Sequence, residues 1–98
     1  MTVSRTILLQ LGGNRFTAMT GAKQFVGASD GLHMTLPASM TRRRANRLSI
    51  TLMGDDTYTV ALGKVAQFDY RVLEERSGIY AEDLQRTFTA MTGLDTHL

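Results

Sequence analysis

Hydrophobic residues in this chain change their spacing along its length. Leu32, Met34 and Leu36 alternate with His33 and Thr35, and Leu48, Ile50 and Leu52 alternate with Ser49 and Thr51. Tyr58, Val60 and Leu62 continue the pattern, and Phe68, Tyr70 and Val72 close it. Alternation puts one face of a strand in a core and the other in water. Strands are therefore predicted at Lys23–Ala28, Leu32–Leu36, Arg47–Met53, Thr57–Leu62 and Gln67–Glu74. Ser29-Asp30-Gly31 and Gly54-Asp55-Asp56 supply the hairpin turns between them. Pro37 stops the second strand because it cannot donate to a ladder. Pro37–Asn46 then reads as a loop with a helical turn around Ser39–Arg44. Gly63-Lys64 is read as the end of the fourth strand and Ser77-Gly78 as the exit from the fifth.

Outside this region the spacing lengthens to three and four. Tyr80, Leu84, Phe88 and Met91 form a stripe that predicts a closing helix from Tyr80 to Met91. Glu82 and Asp83 fall in its first turn, where the helix dipole favours carboxylates. At the other end, Ile7, Leu8, Leu9 and Leu11 fit either a short helix capped by Ser4 or a buried strand, since so short a run is ambiguous by periodicity. A repeated hexapeptide favours the helix. Phe-Thr-Ala-Met-Thr-Gly occurs at Phe16–Gly21 and again at Phe88–Gly93. In each copy Phe and Met share a helical face, and Gly follows where a left-handed cap would end the helix. The first copy is expected to close a segment Arg15–Thr20 capped by Asn14, after a break at Gly12-Gly13. Ala22 and Leu94 are expected to fold back on Phe16 and Phe88 in a Schellman-type contact. The copies lack matching flanks and lie about 70 residues apart, beyond the common short-repeat periods, so two separate cap sequences explain them more simply than duplication. The expected fold class is α+β: an N-terminal helix–break–helix, an antiparallel β-meander of four to five strands, and a C-terminal amphipathic helix on one sheet face. Residues 1–98 form one small domain in this reading.

Composition narrows the function classes. The chain has 98 residues and no cysteine, which removes disulfides, thiol nucleophiles and Cys-ligated metals. No apolar run is long enough to span a membrane, and the N-terminal stretch lacks the form of a signal peptide, so a cytoplasmic location is expected. The formal charge of +2 is too small to name a partner. Its distribution says more: Arg42, Arg43, Arg44 and Arg47 cluster mid-chain, and most carboxylates come later.

That cluster is the sharpest candidate for chemistry. Guanidinium groups suit phosphate contacts, which dominate nucleic-acid affinity. They also suit an acidic protein surface, or a loop that keeps a neighbouring strand edge in solution. Arg15 and Lys23 are candidate extra contacts. Phe25, Tyr58, Phe68 and Tyr70 would serve as stacking platforms if they faced out, but their alternation assigns most of them to the core. His33 and His97 have no second ligand nearby in sequence, so no metal site is expected. Asp55-Asp56 is explained by a turn. Gly12-Gly13 lacks the remaining features of a phosphate-binding loop, and no triad spacing accompanies the serines. No catalytic residue, cofactor or metal is assigned.

Three stretches together carry a resemblance. Ile7–Lys23 (ILLQLGGNRFTAMTGAK), Ala45–Leu52 (ANRLSITL) and Ser77–Leu98 (SGIYAEDLQRTFTAMTGLDTHL) resemble a family of short proteins of phages and other bacterial mobile elements. They cover about half the chain. The family has no assigned biochemical activity, so it transfers no site residues. It implies a small accessory protein acting inside a bacterial host, and such proteins often bind nucleic acid or inhibit a host factor. The expected function is non-enzymatic nucleic-acid binding through Arg42, Arg43, Arg44 and Arg47. The alternative is a protein-interaction module that inhibits or recruits a host defence or replication protein, by adding a strand to a free sheet edge. Pairing into a homodimer is a further route by which so small a domain gains buried area.

Overall fold

Strand pairing follows the alternating positions. The structure, a computed structural model, describes residues 3–66 and 69–94. Two helices, α1 (Val3–Leu11) and α2 (Asn14–Thr20), precede five strands: β1 (Lys23–Ala28), β2 (Gly31–Thr35), β3 (Arg47–Leu52), β4 (Tyr58–Ala66) and β5 (Asp69–Ile79). A 3-10 turn at Ala81–Asp83 leads into α3 (Leu84–Thr92). The strands form one antiparallel meander in the order β1-β2-β3-β4-β5. Leu32 pairs with Ile50 and Ile50 with Val60, while Met34 pairs with Leu48 and Leu48 with Leu62. Each apolar set therefore lands on one face. Ile7, Leu11 and Phe16 from the N-terminal helices and Leu84, Phe88 and Met91 from α3 complete a single core against it. The fold is a two-layer α+β arrangement, with α1 against β1 and β2 and α3 against β4 and β5.

Both hexapeptides end helices, and they do so in the same way. Gly21 and Gly93 are left-handed (φ 74° and 83°), and their amides donate to the carbonyls of Thr17 and Thr89. The preceding threonines, Thr20 and Thr92, are wholly buried. Each hydroxyl donates to the carbonyl four residues back, Phe16 or Phe88, at 2.8 Å. Each also accepts the amide two residues on, from Ala22 at 3.1 Å and Leu94 at 3.0 Å. Ala22 and Leu94 are buried as expected, but a threonine hydroxyl takes the amide that a Schellman motif would give to a helix carbonyl.

Several boundaries differ from the sequence reading. Ser4 lies inside α1, and Gly13, not Asn14, occupies the residue before α2 without a side-chain cap. Tyr80 stands outside α3 and is exposed, because the chain first makes a 3-10 turn there. β4 continues through Gly63-Lys64 to Ala66, and β5 continues through Ser77-Gly78 to Ile79. Gly63 is demanded by close approach: a Cβ there would stand 2.7 Å from Tyr70 Cε1 and 2.9 Å from the Arg71 carbonyl oxygen. Gly78 (φ 70°) lies where the β4–β5 register slips, so it serves a bulge within a strand. Gln67 and Phe68, the expected start of the fifth strand, and the tail with His97 lie outside the described residues.

Candidate functional site

The segment between β2 and β3 is built from the inside outward. Ala45 is buried, and its amide donates to the Arg42 carbonyl at 3.2 Å. Thr41 Oγ1 donates to the Ala45 carbonyl. Between these anchors Arg43 and Arg44 are both left-handed (φ 56° and 55°), a conformation that costs a residue bearing a Cβ roughly 1–2 kcal/mol. The side chains of Arg42 and Arg43 anchor the segment against α3 and β5.

Arg42 Nη1 donates to the Ala90 carbonyl at 3.2 Å, and its stem covers Gly93, where a Cβ would lie 3.3 Å from Arg42 Cγ. It therefore closes the C-terminus of α3, where orphan carbonyls and the negative end of the dipole favour a cation. Arg43 reaches β5. Its Nη1 donates to the Leu73 carbonyl at 3.2 Å and its Nη2 to Glu74 Oε1 at 3.3 Å. Leu73 is the extra residue of a bulge, because Leu62 faces Glu74 while Gly63 faces Val72. Glu74 is held from its other side by Arg76 at 2.6 Å. Two of the four sequence-designated arginines are thus engaged within the fold. Arg44 is exposed, and Arg47 is half-buried on the sheet face opposite the helices.

Strand register adds cations that are distant in sequence. Lys23 pairs with Thr35, Thr35 with Arg47, and Arg47 with Gly63. One step beyond, Lys64 pairs with Arg71. Lys23, Arg47, Lys64 and Arg71 therefore share the end of the sheet that carries Arg42, Arg43 and Arg44. Asp69, opposite Ala66, is at this end too. The turns with Asp30, Asp55 and Asp56 lie at the other end, where Glu82 and Asp83 follow the exit of β5. Arg15 is exposed at the start of α2.

Asn46 fixes the basic end mechanically. Its Nδ2 donates to the Val65 carbonyl at 2.9 Å, and its Oδ1 accepts the Val65 amide at 2.8 Å. Its own amide donates to the Gly63 carbonyl at 3.1 Å, and its carbonyl accepts the Leu36 amide at 2.9 Å. One side chain thus imitates a further residue of β3 opposite β4 and ties the Lys64–Arg71 arm to the arginine segment.

Other polar groups have local roles. Asp55 accepts the Thr57 hydroxyl at 2.6 Å and the Thr57 amide at 3.2 Å. These bonds, the hydroxyl first, hold its carboxyl below the ordinary value of 3.8. His33 lies on the open sheet face, as its alternation predicts, with Nδ1 2.7 Å from Ser49 Oγ. Among the described residues no group of three or more His, Asp or Glu is placed to hold a metal ion. A groove of about 530 Å³ runs between α1 and β1, lined by Ser4, Leu8, Leu9, Phe25 and Leu32. A hollow of about 340 Å³ sits beside the Asp55 turn. No described helix is long and apolar enough to cross a membrane.

Aromatic placement departs from the alternation. Tyr58 is buried and donates to Gln10 Oε1 at 2.8 Å, and Phe25 packs at the edge of the core. Tyr70 and Val72, expected in the core, are each 48% exposed, because they lie on the sheet face that no helix covers. No protein-family model, curated protein or solved structure matches the chain.

Proposed function

We propose that this chain acts by binding, as an accessory protein of a phage or bacterial mobile element inside its host, and that it grips nucleic-acid phosphates with the basic end of the sheet. The observation that carries this reading is the register, which brings Lys64 and Arg71 to the same end as Lys23, Arg47 and the arginine segment while the acidic turns occupy the opposite end. In this reading Arg44, Arg47, Lys23, Lys64 and Arg71 are the phosphate contacts. Arg42 and Arg43 are the residues that hold Arg44 in place. Strain kept at a surface segment by contacts on both sides is a recurrent mark of functional sites.

The test is fluorescence anisotropy with labelled oligonucleotides across a salt series. Arg44, Lys64 and Arg71 are exposed, so their combined replacement by alanine leaves the fold intact. Binding by the natural chain weakens steeply with salt, and the triple variant flattens the slope by roughly two to three units, about one per lost phosphate contact. Absence of binding at low salt, or binding indifferent to salt, overturns the reading.

A second reading, recruitment or inhibition of a host protein, is favoured by one observation. Among the described residues β5 is an edge strand of 11 residues with no partner strand on its outer side, and an extended peptide can add to such an edge. Capture of one host protein that survives nuclease treatment and is lost on substitution of Val72 by proline supports it.

A further inference from the structure

The open face of the sheet has a stretch without bulk beside its β5 edge. There β4 presents Ala61 and Gly63, with Ser49 opposite Ala61, while Tyr70 and Val72 stand on β5 and His33 and Arg47 on the inner strands. Tyr70 lies across Gly63: a Cβ at position 63 would be 2.7 Å from Tyr70 Cε1 and 2.8 Å from its Oη. The ring therefore rests on bare backbone and is still 48% exposed. An aromatic ring braced from below and open above is a platform on which a flat heteroaromatic group stacks. Arg47 is the direct cross-strand partner of Gly63, and Lys23 lies two strands further along the same row. A ring and two cations thus lie across one row of the sheet, the order in which a nucleotide chain presents base and phosphates. A duplex keeps its base faces stacked inside and cannot use such a ring.

We infer that the open face takes single-stranded nucleic acid, one base stacking on Tyr70 and the adjoining phosphates meeting Arg47 and Lys23. This rests on the reading of the basic end as a phosphate site and adds the form of nucleic acid that it selects. Gly63 has a part in it, since any side chain there would lift the ring from its support. Val72, also exposed and the cross-strand partner of Gly63, offers an apolar surface beside the stacked base.

The experiment compares oligothymidylate, oligouridylate and a duplex, each of about twelve units, a length within the range covered by single-strand-binding sheets. The chain has no tryptophan, so a Tyr70→Trp variant reports on the site by its own fluorescence. Single strands bind more tightly than the duplex at equal salt, and saturation quenches the tryptophan. Tyr70→Ala weakens single-strand binding by about 5- to 100-fold, the usual effect of removing one stacking platform, with the salt slope unchanged. The two single strands separate a DNA preference from an RNA preference. Unchanged single-strand affinity in Tyr70→Ala, or an unquenched tryptophan at saturation, overturns the inference while salt-dependent binding keeps the phosphate reading. No binding of any oligonucleotide at low salt overturns both.

Discussion

The ring of Phe16 meets the ring of Phe88 edge to face, with centroids 4.9 Å apart and planes at 72°. These are the first residues of the two hexapeptide copies, so the repeated sequence places its own two copies in contact across the core. In sequence they are 72 positions apart, which follows from their numbers (88 minus 16). The contact joins the N-terminal helices to the C-terminal one and closes the helical layer over the sheet.

A double-mutant cycle measures that contact. Phe16→Leu and Phe88→Leu keep an apolar side chain at each site and remove the ring pair. Urea unfolding is expected to give a coupling energy of about 0.5–1.5 kcal/mol between them, as for other aromatic pairs. Strict additivity of the two single effects would show that the rings touch without interacting beyond burial.

The threonine caps make a sharper prediction. In Thr20→Val and Thr92→Val the shape is kept and the hydroxyl is lost, which leaves a buried amide at Ala22 or Leu94 without its partner. Each is expected to cost about 1–3 kcal/mol, the penalty for an unsatisfied buried donor. Thr→Ser at the same sites keeps the hydroxyl and recovers most of the loss. Equal stability of the valine and serine variants would remove the cap from the account.

Asn46 is expected to tolerate almost no change. Asn46→Asp keeps an acceptor for the Val65 amide but turns a second acceptor toward the Val65 carbonyl. Loss of one bond and the repulsion that replaces it are expected to destabilise by about 2 kcal/mol. Asn46→Ala frees the Val65 amide, and hydrogen exchange should show that amide losing protection ahead of its neighbours in β4. Unaltered protection at Val65 would mean that the β4–β5 pairing alone holds the arm.

Asp55 predicts a pH effect with a definite sign. Its carboxyl is held below 3.8 by the bonds from Thr57, so ionisation is favoured in the folded chain over the unfolded one. The resulting stabilisation is present above 3.8 and is lost as pH falls through the lower folded value. Unfolding midpoints followed from neutral to strongly acid solution should show a smaller acid-side decline in Asp55→Asn than in the natural chain. A steeper decline in the variant would reverse the assignment.

Much of this fold is legible from alternation and spacing. Leu32, Met34, Leu48, Ile50, Val60 and Leu62 point where their pattern requires, because helices cover that face of every inner strand. Tyr70 and Val72 follow the same pattern and stay in water. Alternation assigns residues to two faces, and only the position of the helices decides which face is covered. Glycine was ambiguous for a related reason. Gly63 and Gly78 have the residue type of a turn, but a neighbouring ring and a slipped register make them interior to strands. The arginine cluster was visible as a density of charge. Its division of labour was not, because Arg42 is engaged by a helix end 48 residues away and Arg43 by a bulge 30 residues away. Lys64 and Arg71 join the cluster only once the strands are in register, which also places Lys23, a candidate from the sequence, at the same end.

The separation of charge along the strands changes which charge an approaching polyanion meets. Six residues of β3 at roughly 3.3 Å each put about 20 Å between the arginine segment and the aspartate turns. At physiological ionic strength electrostatic fields decay over about 8 Å. The two ends are therefore electrically independent there, and the formal +2 of the whole chain describes neither of them. In dilute salt the ends are felt together as a dipole, which exerts a torque and turns the molecule before contact. Added salt should thus first abolish the orientation of an encounter and only later its strength, so in the proposed binding of nucleic acid association rates are expected to fall at lower ionic strength than the lifetimes of the complexes.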